Sequence, residues 1–234
     1  MPRRTLLIGF VLFIALSGIA IVAGMRHLLK PDTGNAAGRR RAYEALVGHQ
    51  AQTGDLIFQT AFTNARAHDD IIKMINGKWN HCGILFRQGD SFSVFGIAPY
   101  GNAGFSSLDS WLGMFHSNDL IVKRLPAAKW PGHTTDTARL RAACNRYIGY
   151  HFNYDFDSTA GKAYPAGLVR AVMGDAAGLQ LGVPVLYRNF ACGYTYSKTM
   201  HRECSTGNAD LRIITPEAIL AAPELQPVYA TPGE

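Results

Sequence analysis

Cysteine is scarce in this 234-residue chain, which has four, at positions 82, 144, 192 and 204. So few cysteines exclude the disulfide framework that holds small secreted domains together. None precedes Cys82, so the N-terminal region lacks the residue that a lipoprotein anchor needs. Cys192 and Cys204 could pair in an oxidising compartment, and the sequence leaves this open. The fold must depend on a hydrophobic core, for which a domain of this length is large enough.

Excess charge is absent from the part of the chain expected to fold. The whole chain has a formal net charge of +6, with 23 basic and 17 acidic residues. Seven of the basic residues and one of the acidic residues precede Ala42, which leaves 16 of each sign in the remainder. A balanced domain has no surplus of positive charge for a phosphate backbone. We therefore expect no nucleic-acid partner. Internal repeats and low-complexity tracts are also absent.

Residues 5–25 contain no charged side chain and are mostly apolar, with Arg3 and Arg4 before them and Arg26 after them. About 20 apolar residues cross a bilayer, so the segment is long enough to span one. A cleaved signal peptide is the alternative, because residues 18–20 (GIA) offer small side chains at the spacing of a cleavage site. Since the apolar run continues beyond them, we interpret it as an uncleaved transmembrane or signal-anchor helix with the lipid bilayer as its partner.

The expected organisation has four parts: a basic N-terminus (residues 1–4), the membrane helix (5–25), a basic juxtamembrane tether (26–41) and one domain (42–234). The positive charge of the tether suits anionic lipid headgroups. Positive charge tends to stay on the cytoplasmic side, which would place the domain there. We expect instead a periplasmic or extracytoplasmic domain, and the sequence leaves this conflict open.

Hydrophobic periodicity predicts an α+β domain. Four closely connected strands indicate a largely antiparallel sheet, and the helices become more frequent after it. The predicted strands are residues 56–60, 82–86, 92–97 and 119–125. The predicted helices are residues 40–49, 68–75, 134–148, 164–173 and 215–220. Thr134 or Thr135 is expected to cap the third helix, and a proline in the first turn suits the last two, at Pro165 and Pro216.

His81 stands at the mouth of a predicted buried strand, in the stretch of residues 79–86 (WNHCGILF). A neutral imidazole in such a place can act as a general base, although a structural role is also open. Cys82 must point to the opposite face of the strand from His81 and is expected to pack in the core. Cys144 lies on an apolar helical stripe and is also interpreted as packing. Asp155 and Asp157 are interpreted as loop and capping residues rather than as a carboxylate pair.

The order of the motifs resembles the permuted papain-like amidases of the YaeF/YiiX type, within the NlpC-like cysteine hydrolases. The matching segments are residues 54–59 (GDLIFQ), 70–72 (DII), 81–85 (HCGIL), 147–149 (YIG), 215–216 (TP) and 222–225 (APEL). Together the matches extend over most of residues 52–228. The resemblance implies a circularly permuted papain-like fold, with an antiparallel sheet packed against helices. It also implies an acyl, peptide or cell-wall-like ligand and a catalytic role for His81.

Two positions depart from the pattern of that family. The nucleophilic cysteine of the family opens a late helix, where the helix N-terminus lowers a thiol pKa, and Pro165 occupies that place here. An acidic residue that would orient the imidazole is replaced by Gly96. Of the three expected catalytic groups, only His81 remains. The resemblance therefore predicts a catalytically degenerate binding domain.

Two alternatives remain open. His81 could act with a relocated nucleophile such as Cys192 in an active amide or ester hydrolase, or the chain could be a structural envelope protein. A zinc site made of Cys192, His201, Glu203 and Cys204 is not expected, because the spacing suits no common ligand pattern. We predict no cofactor and no metal.

Overall fold

The computed structural model describes residues 33–60, 79, 81–98, 101–114, 119–153, 156, 161–187 and 210–231. By its internal contacts the chain divides into two units, residues 1–37 and 38–234. The predicted membrane helix (5–25), the predicted helix 68–75, Cys192 and Cys204 lie outside the described residues, as do Asp155 and Asp157. Within the ranges given above, no helix has the length and apolar character that a membrane span requires.

A six-stranded antiparallel sheet forms the centre of the second unit. Its strands are β1 (Leu56–Gln59), β2 (His81–Gln88), β3 (Ser91–Ile97), β4 (Ala103–Ser107), β5 (Leu120–Arg124) and β10 (Gln226–Ala230). They lie in the order β10-β5-β1-β2-β3-β4. The four predicted strands are confirmed with small shifts of their ends. The two edge strands, β4 and β10, were not predicted.

Four short strands form two further pairs. Strands β6 (His151–Phe152) and β7 (Lys162–Ala163) are parallel, and β8 (Val185–Leu186) and β9 (Arg212–Ile213) are antiparallel. A tight turn joins β2 to β3 at Gly89, whose φ of 59° lies in the left-handed region that glycine adopts without strain.

Five α-helices lie within the described residues: α1 (Thr33–Gly48), α2 (Leu108–Gly113), α3 (Thr137–Asn145), α4 (Pro165–Ala177) and α5 (Pro216–Leu220). Helix α1 begins inside the predicted tether rather than at residue 40. Helix α3 is capped by Asp136, whose carboxylate accepts a hydrogen bond of 2.9 Å from Arg139 N, and not by Thr134 or Thr135. An ionised side chain is a good acceptor for a free N–H of the first turn.

The sheet separates two hydrophobic cores, because successive side chains of a strand point to opposite faces. The α4-side core contains Phe58, Cys82 and Ile84 with residues of α3, α4 and α5. The α1-side core contains Ile57 and Leu85 with residues of α1 and α2. The full burial of Cys82 and Cys144 in the α4-side core confirms that both pack as apolar residues.

A buried ion pair joins the start of β1 to the end of β5. Asp55 is fully buried, and its carboxylate accepts hydrogen bonds from Arg124 Nε (2.7 Å) and Nη2 (2.8 Å). The backbone N–H of Gln52 donates to the same carboxylate at 2.9 Å. Three donors satisfy the charge, so the Gly-Asp motif before β1 has a structural role in the described fold.

Candidate functional site

His81 is the first residue of β2, opposite Gln59 in the register of β1. It is only 2% exposed, and its ring stacks on that of Trp111 with centroids 5.0 Å apart and an angle of 26° between the planes. Gln59 Nε2 donates to the carbonyl of Leu112, the next residue of α2, at 3.2 Å. Strand pairing and helix α2 therefore bring an amide, an imidazole and an indole together, and we call Gln59, His81 and Trp111 the His81 cluster.

Trp111 provides a hydrogen-bond donor in this cluster. Its side chain is 1% exposed, and its Nε1 has no hydrogen-bond acceptor within the part of the chain that the structure describes. A buried N–H without an acceptor costs roughly 1–3 kcal/mol, so the position is unfavourable for stability alone. Such an atom is a candidate contact for an acceptor group of a ligand.

Two glycines of the sheet lie beside the indole. A Cβ at Gly83 would lie 2.5 Å from Val94 Cγ1 and 2.9 Å from the carbonyl oxygen of Phe95, and a Cβ at Gly96 would lie 3.6 Å from Trp111 Nε1. Gly96, at the position where the resemblance implies an acidic residue, is thus on the same face of the sheet as Trp111. The structure brings His81 and Gly96 to one place, and at Gly96 no side chain is present to orient the imidazole.

The residues next to Pro165 belong to the α4-side core and not to the His81 cluster. Pro165 is the first residue of α4, and its neighbours Tyr164 and Ala166 lie in the α4-side core, the core of Cys82. The hydroxyl of Tyr164 accepts a hydrogen bond of 3.1 Å from Ile214 N, and burial raises the pKa of this phenol. The predicted helix start is confirmed, and the proline there has neither a nucleophilic atom nor an N–H.

The two described thiols are poor nucleophiles. Burial raises the pKa of the Cys82 thiol well above its usual range, and the charge of Glu217 raises it further. Burial also raises the pKa of the Cys144 thiol to about 12. Since the thiolate is the reactive form, both groups stay protonated and inert in the folded protein. Cys82 also lies on the opposite face of β2 from the stacked rings of His81 and Trp111, as predicted.

Glu217, which is partly buried, makes a polar contact that the sequence did not reveal. It lies in the first turn of α5, and its Oε1 accepts a hydrogen bond of 2.6 Å from the backbone N–H of Trp79, two residues before His81. Burial raises the pKa of this carboxyl group. The Thr-Pro-Glu sequence indicated only a helix start, because its contact with Trp79 bridges 138 residues and has no local signal.

A shallow depression of about 480 Å³ lies at the other end of β2, beside the Gly89 turn. It is lined by Gln52, Thr53, Arg87, Gly89, Thr135 and Thr137. The guanidinium of Arg87 already donates to the carbonyls of Gly89 and Ala51. No residue of the His81 cluster lines this depression, so the two are separate. The guanidinium that lines it already makes hydrogen bonds within the protein.

No group of three or more His, Cys, Asp or Glu side chains suitable for a metal ion occurs among the residues that the structure describes. Cys192, His201, Glu203 and Cys204 lie outside those residues. The expectation that they form no zinc site therefore stays a prediction.

The fold and the site define an α+β domain whose central antiparallel sheet carries a buried histidine at the start of β2. No family model matches the chain. It is 22% identical over 181 residues to the uncharacterized protein YiiX of Escherichia coli K12, covering 76% of this chain and 86% of that protein. The crystal structure of the metalloprotein YiiX from Escherichia coli O157:H7 has a TM-score of 0.65 and 22% identity, covering 78% of this chain and 98% of that one.

The chain is thus similar in sequence to YiiX and has a YiiX-like fold. This confirms the predicted resemblance at the level of the YiiX-like fold. The finer assignments, a permuted papain-like architecture and a lost nucleophile, stay predictions, as does the role of His81.

Proposed function

We propose that this protein is a YiiX-like binding domain that has lost thiol chemistry. One observation carries the proposal: the place of the expected nucleophile is the first turn of α4, and it holds Pro165. The described cysteines do not replace it, because Cys82 and Cys144 are buried and protonated. Neither of these two thiols can therefore serve as a nucleophile for His81.

The His81 cluster supports a ligand that carries a hydrogen-bond acceptor. Trp111 Nε1 is a buried donor with no acceptor among the described residues, and the ring of His81 stacks on this indole. Amide and ester carbonyls combine such an acceptor with an apolar neighbourhood, so acyl, peptide or cell-wall-like ligands agree with this chemistry. This ligand class comes from the resemblance to the hydrolases, and the cluster is compatible with it.

The proposal includes an anchor in the bilayer through residues 5–25 and a periplasmic or extracytoplasmic domain. The absence of charge from residues 5–25 supports the anchor. The balanced charge of the domain after Ala42 agrees with a role that involves no nucleic acid.

The similarity to a structure described as a metalloprotein raises the question of a metal here. The described residues offer no group of three ligating side chains, so they do not suit a metal centre. The proposal therefore assigns no step to a metal ion.

Thiol reactivity tests the loss of chemistry. The full-length protein, in detergent, is treated with an activity-type electrophile that reacts with thiolates, and the labelled residue is identified by peptide mass spectrometry. We expect slow labelling, with no dependence on His81, in the wild-type protein and in the variants Cys82→Ala, Cys144→Ala, Cys192→Ala and Cys204→Ala. The variant His81→Ala tests whether any labelling depends on the imidazole.

Fast labelling that is confined to Cys192 and is lost in His81→Ala would overturn the proposal and show an active hydrolase. Binding is tested separately by titrating acylated peptides and cell-wall fragments while tryptophan fluorescence is recorded. A saturable change that Trp111→Phe weakens would support a ligand at the His81 cluster. No saturable change with any of these compounds would instead favour a structural envelope protein.

A further inference from the structure

The backbone just before His81 is held by a side chain from the far end of the sequence. Trp79 is 6% exposed and lies in the α4-side core. Its N–H donates to Glu217 Oε1 at 2.6 Å, a short distance typical of a hydrogen bond to a charged acceptor. Since only one residue separates Trp79 from His81, this bond lies at the entrance of β2.

Helix α5, which carries Glu217, is held in place at both of its ends. The hydroxyl of Thr215 accepts a hydrogen bond of 3.1 Å from Ala218 N and caps the helix. At the other end, Lys123 Nζ of β5 donates to the carbonyl of Leu220 at 2.6 Å. Ile219 is fully buried between these contacts. The carboxylate is therefore presented from a short helix that is fixed to the sheet.

The second carboxylate oxygen indicates that this contact has a purpose beyond stability. Glu217 Oε2 is buried and has no hydrogen-bond partner among the described residues. A charged oxygen without a donor costs free energy, and an apolar residue at the same place would avoid that cost. Stability alone therefore does not account for a glutamate at this position, and its hydrogen bond with Trp79 indicates another role.

We propose that Glu217 is a positioning residue for His81. Its carboxylate fixes the backbone of Trp79, and this sets where β2 begins and where the imidazole of His81 stacks on Trp111. The role rests on the proposed function, in which His81 belongs to the binding site. Glu217 acts through the backbone from the α4-side core, whereas the stacked rings lie on the opposite face of the sheet.

The titratable and charged groups around Glu217 come from three elements. The thiol of Cys82 faces it from β2, the phenol of Tyr164 lies beside that thiol at the start of α4, and Lys123 of β5 contacts the other end of α5. Because burial raises the pKa of Glu217, the carboxylate gains its proton at a higher pH than an exposed glutamate. Protonation removes the charge from the bond to Trp79 and weakens it.

Nuclear magnetic resonance of the full-length protein in detergent micelles, with no ligand added, tests the role. The Trp79 amide signal and the His81 ring signals are followed in the wild-type protein, Glu217→Gln and Glu217→Ala. We expect Glu217→Gln to keep the His81 signals near their wild-type positions, because its amide oxygen still accepts from Trp79. We expect Glu217→Ala to displace them and to accelerate hydrogen exchange at the Trp79 amide.

Thr215→Ala is the matched control, because it weakens α5 by removing its cap and keeps the carboxylate. We expect it to lower stability without moving the His81 signals, because the bond from Lys123 to Leu220 still holds α5 on the sheet and the carboxylate is unchanged. The wild-type Trp79 amide should shift with pH as Glu217 titrates, and Glu217→Gln should lose that dependence. Unchanged Trp79 and His81 signals in Glu217→Ala, or the same displacement in Thr215→Ala, would overturn the inference. Neither result depends on ligand binding or thiol labelling, so a failure here is distinct from a failure of the proposed function.

Discussion

At the scale of single residues, the site is shaped as much by missing side chains as by those present. Gly83 and Gly96 lie beside the indole of Trp111, and that indole contacts the ring of His81. A Cβ at Gly83 would collide with Val94 and Phe95 of the neighbouring strand, whereas a Cβ at Gly96 would meet no atom closer than 3.6 Å. The glycine of the His-Cys-Gly motif therefore serves close packing, which sequence alone does not distinguish from a turn or bulge.

Gly83→Ala should destabilise the protein by about 1–3 kcal/mol, the usual cost of overpacking a core. The added Cβ would lie 2.9 Å from the backbone oxygen of Phe95, so the strands themselves must move. Urea unfolding followed by circular dichroism measures the change. In the control Gly104→Ala, the new Cβ would meet no atom within 4 Å, and the free energy of unfolding should change by less than about 0.5 kcal/mol. Equal effects of the two substitutions would contradict the packing argument.

Glu217→Gln should change how stability depends on pH. Burial raises the pKa of Glu217, and this effect outweighs the hydrogen bond from Trp79, which lowers it. A raised pKa in the folded state favours the protonated form, so the stabilising contribution is full below the unfolded-state pKa and is lost as pH rises through the folded-state pKa. We expect the glutamine variant to be more stable than the wild-type protein at about pH 8, with a difference that shrinks towards about pH 4.

Urea unfolding of both proteins across this pH range gives the difference directly. A constant offset at every pH would show that the carboxyl group does not titrate differently in the folded and unfolded states.

At the scale of elements, the sequence predicted those strands and helices whose structure is determined by a local pattern of residues. The apolar runs of β1, β2, β3 and β5 were found because they are buried, and α5 was found through Thr215 and Pro216, whose cap and first-turn roles are confirmed. The edge strands β4 and β10 were missed, because β4 contains a glycine and two serines and β10 contains Pro227. Their strand state comes from pairing with neighbours rather than from local preference.

The His81 cluster shows the same limit for the site. A histidine at the mouth of a buried strand was visible in the sequence, and its separation from Cys82 followed from strand alternation. Trp111 and Gln59 were not predicted as partners of His81. Gln59 lies opposite His81 because of the register between β1 and β2, and Trp111 lies there because α2 packs on this face of the sheet. Glu217 was not predicted for the same reason.

The ion pair that joins β1 to β5 should make a measurable contribution. Asp55→Asn is expected to cost about 3 kcal/mol, the lower end for a broken buried pair, because Arg124 remains partly exposed. Asp109→Asn is the control, since Asp109 pairs with Arg39 at 2.9 Å with its side chain 77% exposed. Exposed pairs contribute about 0–1 kcal/mol. Chemical denaturation of the two variants compares them, and similar losses would argue against the buried role of Asp55.

At the scale of the whole molecule, the two described cysteines report on global unfolding. Cys82 and Cys144 lie in one core, and burial raises the pKa of each thiol. We expect their alkylation rates to stay low in the native protein and to rise together through the urea transition. Mass spectrometry of peptides from each region measures both rates. Modification of either cysteine well before the transition would show that this core opens locally.

The order of the sheet also bears on how the chain is made. The N–H of Leu120 donates to the hydroxyl of Thr231 across 111 residues, and β10 covers the outer edge of β5. Until residues 226–230 have left the ribosome, β5 has one of its two neighbours at most. The nascent chain therefore exposes an open strand edge at β5 during that interval, and an open edge can pair with another chain unless a chaperone covers it.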